Sequence, residues 1–323
     1  MPRPSLLITR RLPASVLERL RATYEVTVNP DDRSLGREGL LAALRAYDAL
    51  SPTITDKLDA EVLQSPGLKT RILANFGVGI EHIDLDAAKR ANIVVTNTPD
   101  ALTDATAELT ILLILMVSRR AGEAERAVRA GKWKGWGPTQ LLGNDVKGKT
   151  LGLVGFGRIA KEAARRARAA LGMRIAYYSR NRANAEEELA LGAEYHSSLD
   201  SLLAHSDVVS LHCPGGAATY HLLNAQAIAR MKPTAILINT ARGSVVDEEA
   251  LATALAQRQI AAAGLDVYEH EPTVPTSLVE LENVVLLPHL GSATLETRTA
   301  MGMQMADNLD SFFSGKAPPN RVA

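Results

Sequence analysis

The chain has 323 residues, which is enough for two domains that each bury a core of their own. Lysine plus arginine number 36 and aspartate plus glutamate number 36, so the formal net charge is zero. This balance argues against nucleic-acid and membrane-surface partners, which call for a basic protein surface. The only cysteine, Cys213, excludes an internal disulfide, and without a secretory signal pattern it favours a reducing, cytoplasmic compartment. The longest apolar run, residues 111–117, is far shorter than the roughly 20 residues of a membrane-spanning helix.

Short apolar runs alternate with stretches rich in alanine, leucine and charge along the chain. Runs that are apolar throughout are typical of strands covered on both faces, and strands separated by helices predict parallel βαβ units. In chain order, examples of these runs are residues 5–9, 91–96, 150–154, 174–178, 208–212, 235–239, 262–266 and 284–287, and a set of shorter units is predicted from residue 5 to about residue 97. The last six are enough for one doubly wound sheet.

The segments between and after these strands indicate the domain organisation. Residues 100–120 predict a long helix with an apolar face, with Thr103 as its candidate cap. Residues 131–148 are rich in glycine and predict a surface loop. Residues 291–314 predict a last helix that returns to the first domain, and residues 315–323 predict a loose tail. One domain is therefore expected to be split around the other.

A glycine-rich turn follows the predicted strand at 150–154. Gly155 suits a tight turn, Gly157 lets a phosphate approach the backbone, and the small Ala160 lets the following helix pack close to the strand. The N-terminus of that helix offers free N–H groups and the positive end of its dipole to an anion. The pattern alone is also typical of a plain glycine-rich turn, but its place inside a βαβ unit favours dinucleotide binding.

The residues that follow the second strand of this unit select the cofactor. An acidic residue there accepts hydrogen bonds from the ribose 2′-hydroxyl of NAD, but here Ser179 is followed by Arg180 and Arg182. Arginine holds a 2′-phosphate through charge-assisted hydrogen bonds, so NADP(H) is the predicted preference and NAD(H) is left open. The alternative is that both arginines are solvated loop charges.

Polar residues also follow three later strands. They are Arg242 after the strand at 235–239, Asp266 and Glu271 after the strand at 262–266, and His289 and Gly291 after the last strand. The carboxyl ends of parallel strands line the ligand crevice of such a sheet. One arginine, two carboxylates and one histidine are therefore expected to converge where a nicotinamide binds.

These motifs resemble those of the D-isomer-specific 2-hydroxyacid dehydrogenases, most closely the glyoxylate/hydroxypyruvate reductases. The resemblance covers nearly the whole chain and includes residues 75–84, 98–108, 211–214 and the tryptophan-bearing loop at 132–136. It implies an α/β fold of two Rossmann-like or flavodoxin-like parallel-sheet domains. The substrate domain, residues 1–100 plus 290–323, is then discontinuous around an NAD(P)-binding Rossmann domain at residues 101–289.

The resemblance also implies roles for individual residues. Arg242 grips the substrate carboxylate and polarises the keto oxygen, His289 donates the proton in reduction, and Glu271 pairs with that histidine. The backbone N–H groups of Val78 and Gly79 complete the substrate site. Together with the glycine turn and the two arginines, the expected cofactor-binding residues are Thr106, Gly155, Gly157, Arg158, Ile159, Ser179, Arg180, Arg182, Cys213, Pro214, Thr240, Asp266 and Gly291.

The implied activity is NADPH-preferring reduction of glyoxylate and hydroxypyruvate to glycolate and D-glycerate, in a homodimer. The alternatives are a dehydrogenase for a bulkier 2-keto acid and a non-catalytic regulatory protein that senses a dinucleotide. No metal site is expected: His212 and Cys213 are adjacent on a strand and so face opposite ways, and His196 and His205 are interpreted as structural or solvated.

Overall fold

The computed structural model describes residues 2–323, which divide into two compact units. Unit 1 is the chain up to Leu102 together with Ala293–Ala323, and unit 2 is Thr103–Ser292. Each unit is built on one parallel sheet, of five strands in unit 1 and seven in unit 2. Within residues 2–323, no helix combines the length and the apolar character needed to cross a membrane.

Strands and helices alternate through both units. Unit 1 begins with β1 (Ser5–Ile8), α1 (Ala14–Thr23), β2 (Glu25–Val28), α2 (Gly36–Ala46), β3 (Ala49–Ser51), α3 (Ala60–Leu63), β4 (Ile72–Ala74), α4 (Leu85–Arg90) and β5 (Val94–Thr96). Unit 2 contains α5 (Thr103–Ser118), α6 (Ala121–Arg129), β6 (Thr150–Val154), α7 (Arg158–Leu171), β7 (Arg174–Tyr178), α8 (Ala185–Leu191), β8 (Ala193–Tyr195), α9 (Leu199–His205), β9 (Val208–Leu211), α10 (Ala225–Ile228), β10 (Ile236–Asn239), a 3₁₀ turn (Gly243–Val245), α11 (Glu248–Ala256), β11 (Ala262–Leu265), α12 (Thr276–Val279) and β12 (Val284–Leu286). The chain then returns to unit 1 with α13 (Leu295–Phe313).

The sheet of unit 1 has the strand order β2-β1-β3-β4-β5, which is the flavodoxin-like order. Alternate residues of β1 serve two different cores: Leu6 and Ile8 pack with Val16 of α1 and Met305 of α13, while Leu7 belongs to the cluster on the other face. Successive side chains of a strand point to opposite faces, so a strand covered on both sides is apolar throughout.

The sheet of unit 2 has the order β12-β11-β10-β9-β6-β7-β8. This is the Rossmann order with one strand added, and its switch point lies between β6 and β9, where the strand order reverses. Leu151 and Leu153 of β6 pack with Leu113 of α5 on one face, whereas Val154 and Val209 belong to the core on the other face. The two cores fix the sheet between two helical layers.

The predicted α/β fold class is confirmed, and the strands predicted at 150–154 and 174–178 have the same bounds as β6 and β7. The predicted helix at 100–120 is α5, which begins at Thr103. Strand β8, the edge strand of the unit 2 sheet, is not among the strands predicted from the sequence. Its three residues, Ala193, Glu194 and Tyr195, contain no fully buried side chain and so form no apolar run.

The prediction of a loose tail at residues 315–323 is wrong. The N–H of Val322 donates to the carbonyl of Val95 at 2.8 Å, and the N–H of Asn97 donates to the carbonyl of Asn320 at 3.1 Å. Ala323 is only 7% exposed. The tail is ordered because it pairs with β5, whose outer edge would otherwise present unsatisfied backbone groups.

Candidate active site

The glycine turn joins β6 to α7. Gly155 has φ +91°, and a Cβ there would lie 2.8 Å from the backbone nitrogen of Cys213, so only glycine fits. A Cβ on Gly157 would meet nothing within 4 Å, and no side chain caps the first N–H groups of α7. Open space beside an uncapped helix N-terminus suits a phosphate group. These residues therefore fit the pyrophosphate of a dinucleotide.

This turn lies at the switch point of the unit 2 sheet. Gly155 follows β6 and Cys213 lies beyond the end of β9, and these strands are hydrogen-bonded neighbours. In a doubly wound sheet the ligand crevice opens at such a place. Burial raises the pKa of the Cys213 thiol to about 11, so the thiol stays protonated at neutral pH and is a poor nucleophile.

The two arginines after β7 differ in what they contact. The guanidinium of Arg182 donates two hydrogen bonds of 2.8 Å to the carboxylate of Glu188 and lies 5.3 Å from the ring centre of Tyr195. The hydrogen bonds from Arg182 and from Tyr177 lower the pKa of Glu188 to about 2. Arg180 is exposed and has no ion-pair partner among residues 2–323. Of these two arginines, therefore, Arg180 is the one whose guanidinium is available to bind a phosphate.

Arg242 lies between β10 and the 3₁₀ turn, and its backbone is held from several sides. The side-chain amide of Asn239 donates to the carbonyl of Arg242 at 2.9 Å. A Cβ on the next residue, Gly243, would lie 1.8 Å from the carbonyl carbon of Tyr268, so only glycine can occupy this position. The Arg242 Nη1 donates to the carbonyl of Ala241 at 2.7 Å, which helps to fix the direction of the half-buried guanidinium.

His289 and Glu271 form a hydrogen-bonded pair. The Nδ1 of His289 lies 2.8 Å from the Oε2 of Glu271, and the N–H of His289 donates to the carbonyl of Asp266 at 2.8 Å. His289 has φ +56°, a left-handed conformation that few non-glycine residues adopt and that clusters at functional sites. Because Nδ1 faces the carboxylate, Nε2 is the nitrogen that remains for a substrate.

Glu271 is charged at neutral pH although it is partly buried. Burial alone would raise the pKa of this carboxyl group, but the hydrogen bond and the charge of His289, with smaller contributions from the N–H of Tyr268 and the charge of Arg242, outweigh it. The net effect holds the pKa of Glu271 below its ordinary value. Its carboxylate therefore loses its charge only in strongly acidic solution.

Asp266 connects the segment after β11 to the segment that carries His289. It is 1% exposed, and its two carboxylate oxygens accept hydrogen bonds from the N–H of Leu290 at 2.6 Å and of Gly291 at 2.9 Å. Burial raises the pKa of Asp266 above its ordinary value. The immediate effect of this carboxylate is to hold the backbone on the C-terminal side of His289.

Thr106, Thr240 and Gly291, which are also predicted to contact the cofactor, are linked by hydrogen bonds that involve Thr110. The hydroxyl of Thr106 donates to the carbonyl of Gly291 at 3.0 Å. The hydroxyl of Thr110, one turn further along α5, lies 3.0 Å from that of Thr240. Helix α5, β10 and the segment after β12 are thus joined by hydroxyl groups. The other predicted contacts occupy the first turn of α7, which carries Arg158 and Ile159, and the segment after β9, which carries Cys213 and Pro214.

The predicted substrate-carboxylate loop lies in unit 1, after β4. The side-chain amide of Asn75 donates to the carbonyls of Gly77 and Gly79, at 3.1 and 2.9 Å, and that of Asn97 donates to the carbonyl of Val78 at 3.0 Å. Among residues 2–323, the N–H groups of Val78 and Gly79 donate to no protein acceptor. The carbonyls are therefore engaged while the N–H groups remain available to an anion.

Asn75 and Asn97 hold this candidate substrate loop, a role that was not predicted from the sequence. Both lie directly after a strand, Asn75 after β4 and Asn97 after β5. An amide at such a position is a usable signal, because one side chain can satisfy two backbone carbonyls of an irregular loop. Asn75 also lies 3.0 Å from the Nε2 of His82, which fixes the orientation of the amide.

Comparison with known proteins agrees with this geometry. Residues 111–291 match the family described as "D-isomer specific 2-hydroxyacid dehydrogenase, NAD binding domain". A glyoxylate reductase of Thermococcus litoralis is 47% identical over 325 residues, which span 99% of this chain and 97% of that protein. A putative D-isomer-specific 2-hydroxyacid dehydrogenase of Polaromonas has a similar solved structure, with a TM-score of 0.92, 38% identity and 100% of both chains covered. An NADPH-dependent glyoxylate/hydroxypyruvate reductase of Sinorhizobium meliloti, solved with NADP and malonate, has a TM-score of 0.87 and 38% identity over 99% of this chain and 97% of that one.

The fold and the matched domain place this protein among the NAD(P)-dependent dehydrogenases. More narrowly, the chain belongs to the D-isomer-specific 2-hydroxyacid dehydrogenase family, which confirms the resemblance stated from its motifs. The coarse activity follows from the family: the enzyme reduces 2-keto acids with a nicotinamide cofactor.

Proposed function

We propose that this enzyme reduces glyoxylate and hydroxypyruvate to glycolate and D-glycerate and prefers NADPH to NADH. The observation that carries the proposal is the 2.8 Å hydrogen bond between His289 Nδ1 and Glu271, in the same unit as Arg242. Similarity to a glyoxylate reductase over 99% of the chain supports the choice of small substrates. A dehydrogenase for a bulkier 2-keto acid and a regulatory dinucleotide sensor remain the alternatives.

The cofactor would be held mainly by unit 2. Gly155, Gly157 and the first turn of α7 would bind the pyrophosphate through backbone N–H groups, and Arg180 would bind a 2′-phosphate. Thr240 and Asp266 would lie on the nicotinamide side. When bound, the nicotinamide supplies the hydride that reduces the keto carbon. All other steps depend on groups of the chain.

His289 is the proposed general acid. Reduction of a keto group leaves an alkoxide that needs a proton, and a protonated imidazole supplies one near neutral pH. Glu271 stabilises the cationic form of the imidazole before the transfer and keeps the ring oriented through Nδ1. The proton therefore leaves from Nε2.

Arg242 of unit 2 is a proposed substrate-binding residue, and so, from the resemblance, are the backbone N–H groups of Val78 and Gly79 in unit 1. The planar guanidinium matches a carboxylate, and its charge stabilises negative charge that develops on the keto oxygen. The two N–H groups in unit 1 offer neutral donors to the same type of anion. A small 2-keto acid presents both features, a carboxylate and an adjacent carbonyl.

The direct test follows NADPH absorbance as 2-keto acids of increasing size are added to the purified enzyme. We expect the largest kcat/KM with glyoxylate or hydroxypyruvate. A clearly better bulky 2-keto acid would favour the first alternative. Cofactor binding without turnover of any 2-keto acid would favour the regulatory alternative.

Substituting the two arginines after β7 separates their contributions to cofactor choice. We expect Arg180→Ala to raise KM for NADPH by roughly 10- to 100-fold and to leave KM for NADH almost unchanged, since one charge-assisted phosphate contact is lost. Arg182→Ala is the matched control and should have a smaller effect, because Arg182 is held by Glu188. Steady-state kinetics with both cofactors measure the result. An equal effect of the two substitutions would contradict this division of roles.

We also propose that the enzyme is a homodimer. Support comes from large apolar side chains exposed on α5 and on the loop between α6 and β6: Leu112 is 47% exposed, Trp133 54% and Trp136 84%. Side chains of this kind are commonly covered in an interface. Light scattering should give twice the chain mass, and Leu112→Glu should shift the protein towards the monomer. A monomeric wild-type enzyme would overturn the proposal.

A further inference from the structure

Three potential metal ligands meet at the edge of the unit 2 sheet opposite β12. Glu194 lies in β8, His196 follows the end of that strand, and His205 is the last residue of α9. One ligand atom from each of them lies within 4.8 Å of the others. We call these three residues the β8–α9 cluster. They are neither part of the glycine turn nor of the His289–Glu271 pair.

The local chain direction explains why the three side chains meet. Glu194 and His196 are two residues apart along an extended segment, so their side chains point to the same face. The N–H of His196 donates to the carbonyl of Tyr177 at 2.8 Å, which continues the β7–β8 pairing through His196. From α9, the ring of His205 lies with its centre 5.2 Å from that of His196.

His196 provides the strongest indication of a missing ligand. It is only 9% exposed, and its Nε2 has no hydrogen-bond partner among residues 2–323. Its other nitrogen, Nδ1, lies 2.8 Å from the hydroxyl of Ser201. The tautomer with its proton on Nδ1 donates that hydrogen bond and leaves a lone pair on Nε2. A histidine fixed in this way by a partner on one nitrogen is the usual arrangement of a metal ligand.

An ion pair alone explains the cluster less well. The Nε2 of His196 lies 3.8 Å from the Oε1 of Glu194, which is beyond hydrogen-bond distance. Within residues 2–323, nothing satisfies the buried Nε2 of His196. A divalent ion satisfies the two imidazoles and the carboxylate together.

We propose that the β8–α9 cluster binds a divalent transition-metal ion of the zinc class, with water completing a tetrahedral shell. Two imidazoles and one carboxylate form a ligand set that suits Zn²⁺. Around such an ion the ligand atoms lie about 3.4 Å apart. Glu194 and His205 have exposed side chains, so they can close the remaining gap while buried His196 stays in place.

The proposed site is structural, because it lies far from the catalytic pair. Strand β8 is at one edge of the sheet, and β11 and β12, which precede Glu271 and His289, are at the other. With neighbouring strands about 4.8 Å apart, the six spacings between β8 and β12 amount to roughly 29 Å. A bound ion would tie the edge strand β8 to the end of α9 and stabilise the folded state.

The test is zinc binding to the chelator-treated, metal-free full-length enzyme, measured by titration calorimetry, with Co²⁺ absorption as a second readout. We expect one Zn²⁺ per chain at this site, and a rise in Tm of roughly 5–10 °C at a hundredfold excess over Kd. His205→Ala and Glu194→Gln should each weaken binding at least tenfold and abolish most of the rise in Tm. Glu186→Gln, at an exposed glutamate of α8, is the charge-matched control and should leave binding unchanged.

Ser201→Ala addresses the buried histidine without removing it, since His196→Ala would also disturb packing. Loss of the hydroxyl on Nδ1 should weaken zinc binding by roughly 10- to 100-fold, the usual cost of removing such a partner. Reductase activity of the metal-free His205→Ala enzyme should equal that of the metal-free wild type. Equal zinc affinity in wild type and His205→Ala would overturn the proposal, as would binding that appears only at millimolar zinc.

Discussion

His289→Ala is expected to lower kcat for glyoxylate reduction by about 10²- to 10⁴-fold, the range typical of a lost general acid. Without the imidazole, the alkoxide must take its proton from water, while the groups assigned to cofactor binding are untouched. KM for NADPH should therefore change little. Stopped-flow single-turnover measurements would show whether the loss is in the chemical step rather than in product release.

A fold check must accompany this variant, because His289 has a left-handed backbone that alanine adopts less readily. Thermal unfolding and NADPH binding should stay close to wild type. Turnover within a few-fold of wild type in a folded His289→Ala enzyme would refute the role of His289 as proton donor.

Glu271→Gln separates the charge of the carboxylate from its hydrogen bond. The glutamine carbonyl still accepts from Nδ1–H, so the ring stays oriented, but the imidazolium loses its anionic partner. We expect a smaller loss of kcat than in His289→Ala, because the proton donor and its orientation are both retained. Initial-rate kinetics on the two variants measure the difference, and a loss as large as in His289→Ala would contradict these separate roles.

The sequence predicted best those parts of the fold that are covered on both faces. Strands β6 and β7 were assigned with correct bounds because residues such as Leu151, Leu153 and Tyr177 are fully buried and form continuous apolar runs. The glycine turn was equally visible, since Gly155 is required by a close approach of two backbone segments. Functional residues that directly follow a buried strand can be predicted from the sequence, because the apolar run shows where the strand ends.

Edges were predicted poorly because pairing there depends on backbone groups that any sequence possesses. Strand β8 carries Glu194 in its middle and has no apolar signature. The tail is held by backbone hydrogen bonds of Val322 to Val95, which no side-chain pattern encodes. The meeting of Glu194 and His196 with His205 depends on β8, so the proposed metal site was not visible from the sequence.

In the candidate active site, too, some features could be predicted from the sequence and others could not. The types and order of Arg242, Glu271 and His289 follow from motifs, whereas the contacts that hold them do not. That Asp266 holds the N–H groups of Leu290 and Gly291 requires knowledge of which loops approach each other. The different partners of Arg180 and Arg182 likewise depend on the position of Glu188 on α8.

Arg242→Gln is expected to lower kcat/KM for glyoxylate by about 10²- to 10³-fold, the usual cost of removing a group that stabilises developing negative charge. Glutamine retains polarity but supplies neither the positive charge nor the two-pronged donor set of the guanidinium. Because Arg242 is proposed to contact both the carboxylate and the keto oxygen, KM should rise and kcat should fall. Initial-rate kinetics over a wide range of glyoxylate concentration measure both effects.

Arg242→Lys distinguishes charge from geometry. Lysine restores the charge as a single point, so we expect a partial recovery of kcat/KM relative to Arg242→Gln, with KM for glyoxylate still raised. Arg230→Gln is a suitable control, since Arg230 is an exposed arginine of unit 2 whose ion pair with Asp200 measures 3.5 Å. It should leave both constants unchanged. If Arg242→Gln behaved like this control, the substrate carboxylate would have to be bound by other groups, and the assignment of Arg242 would fail.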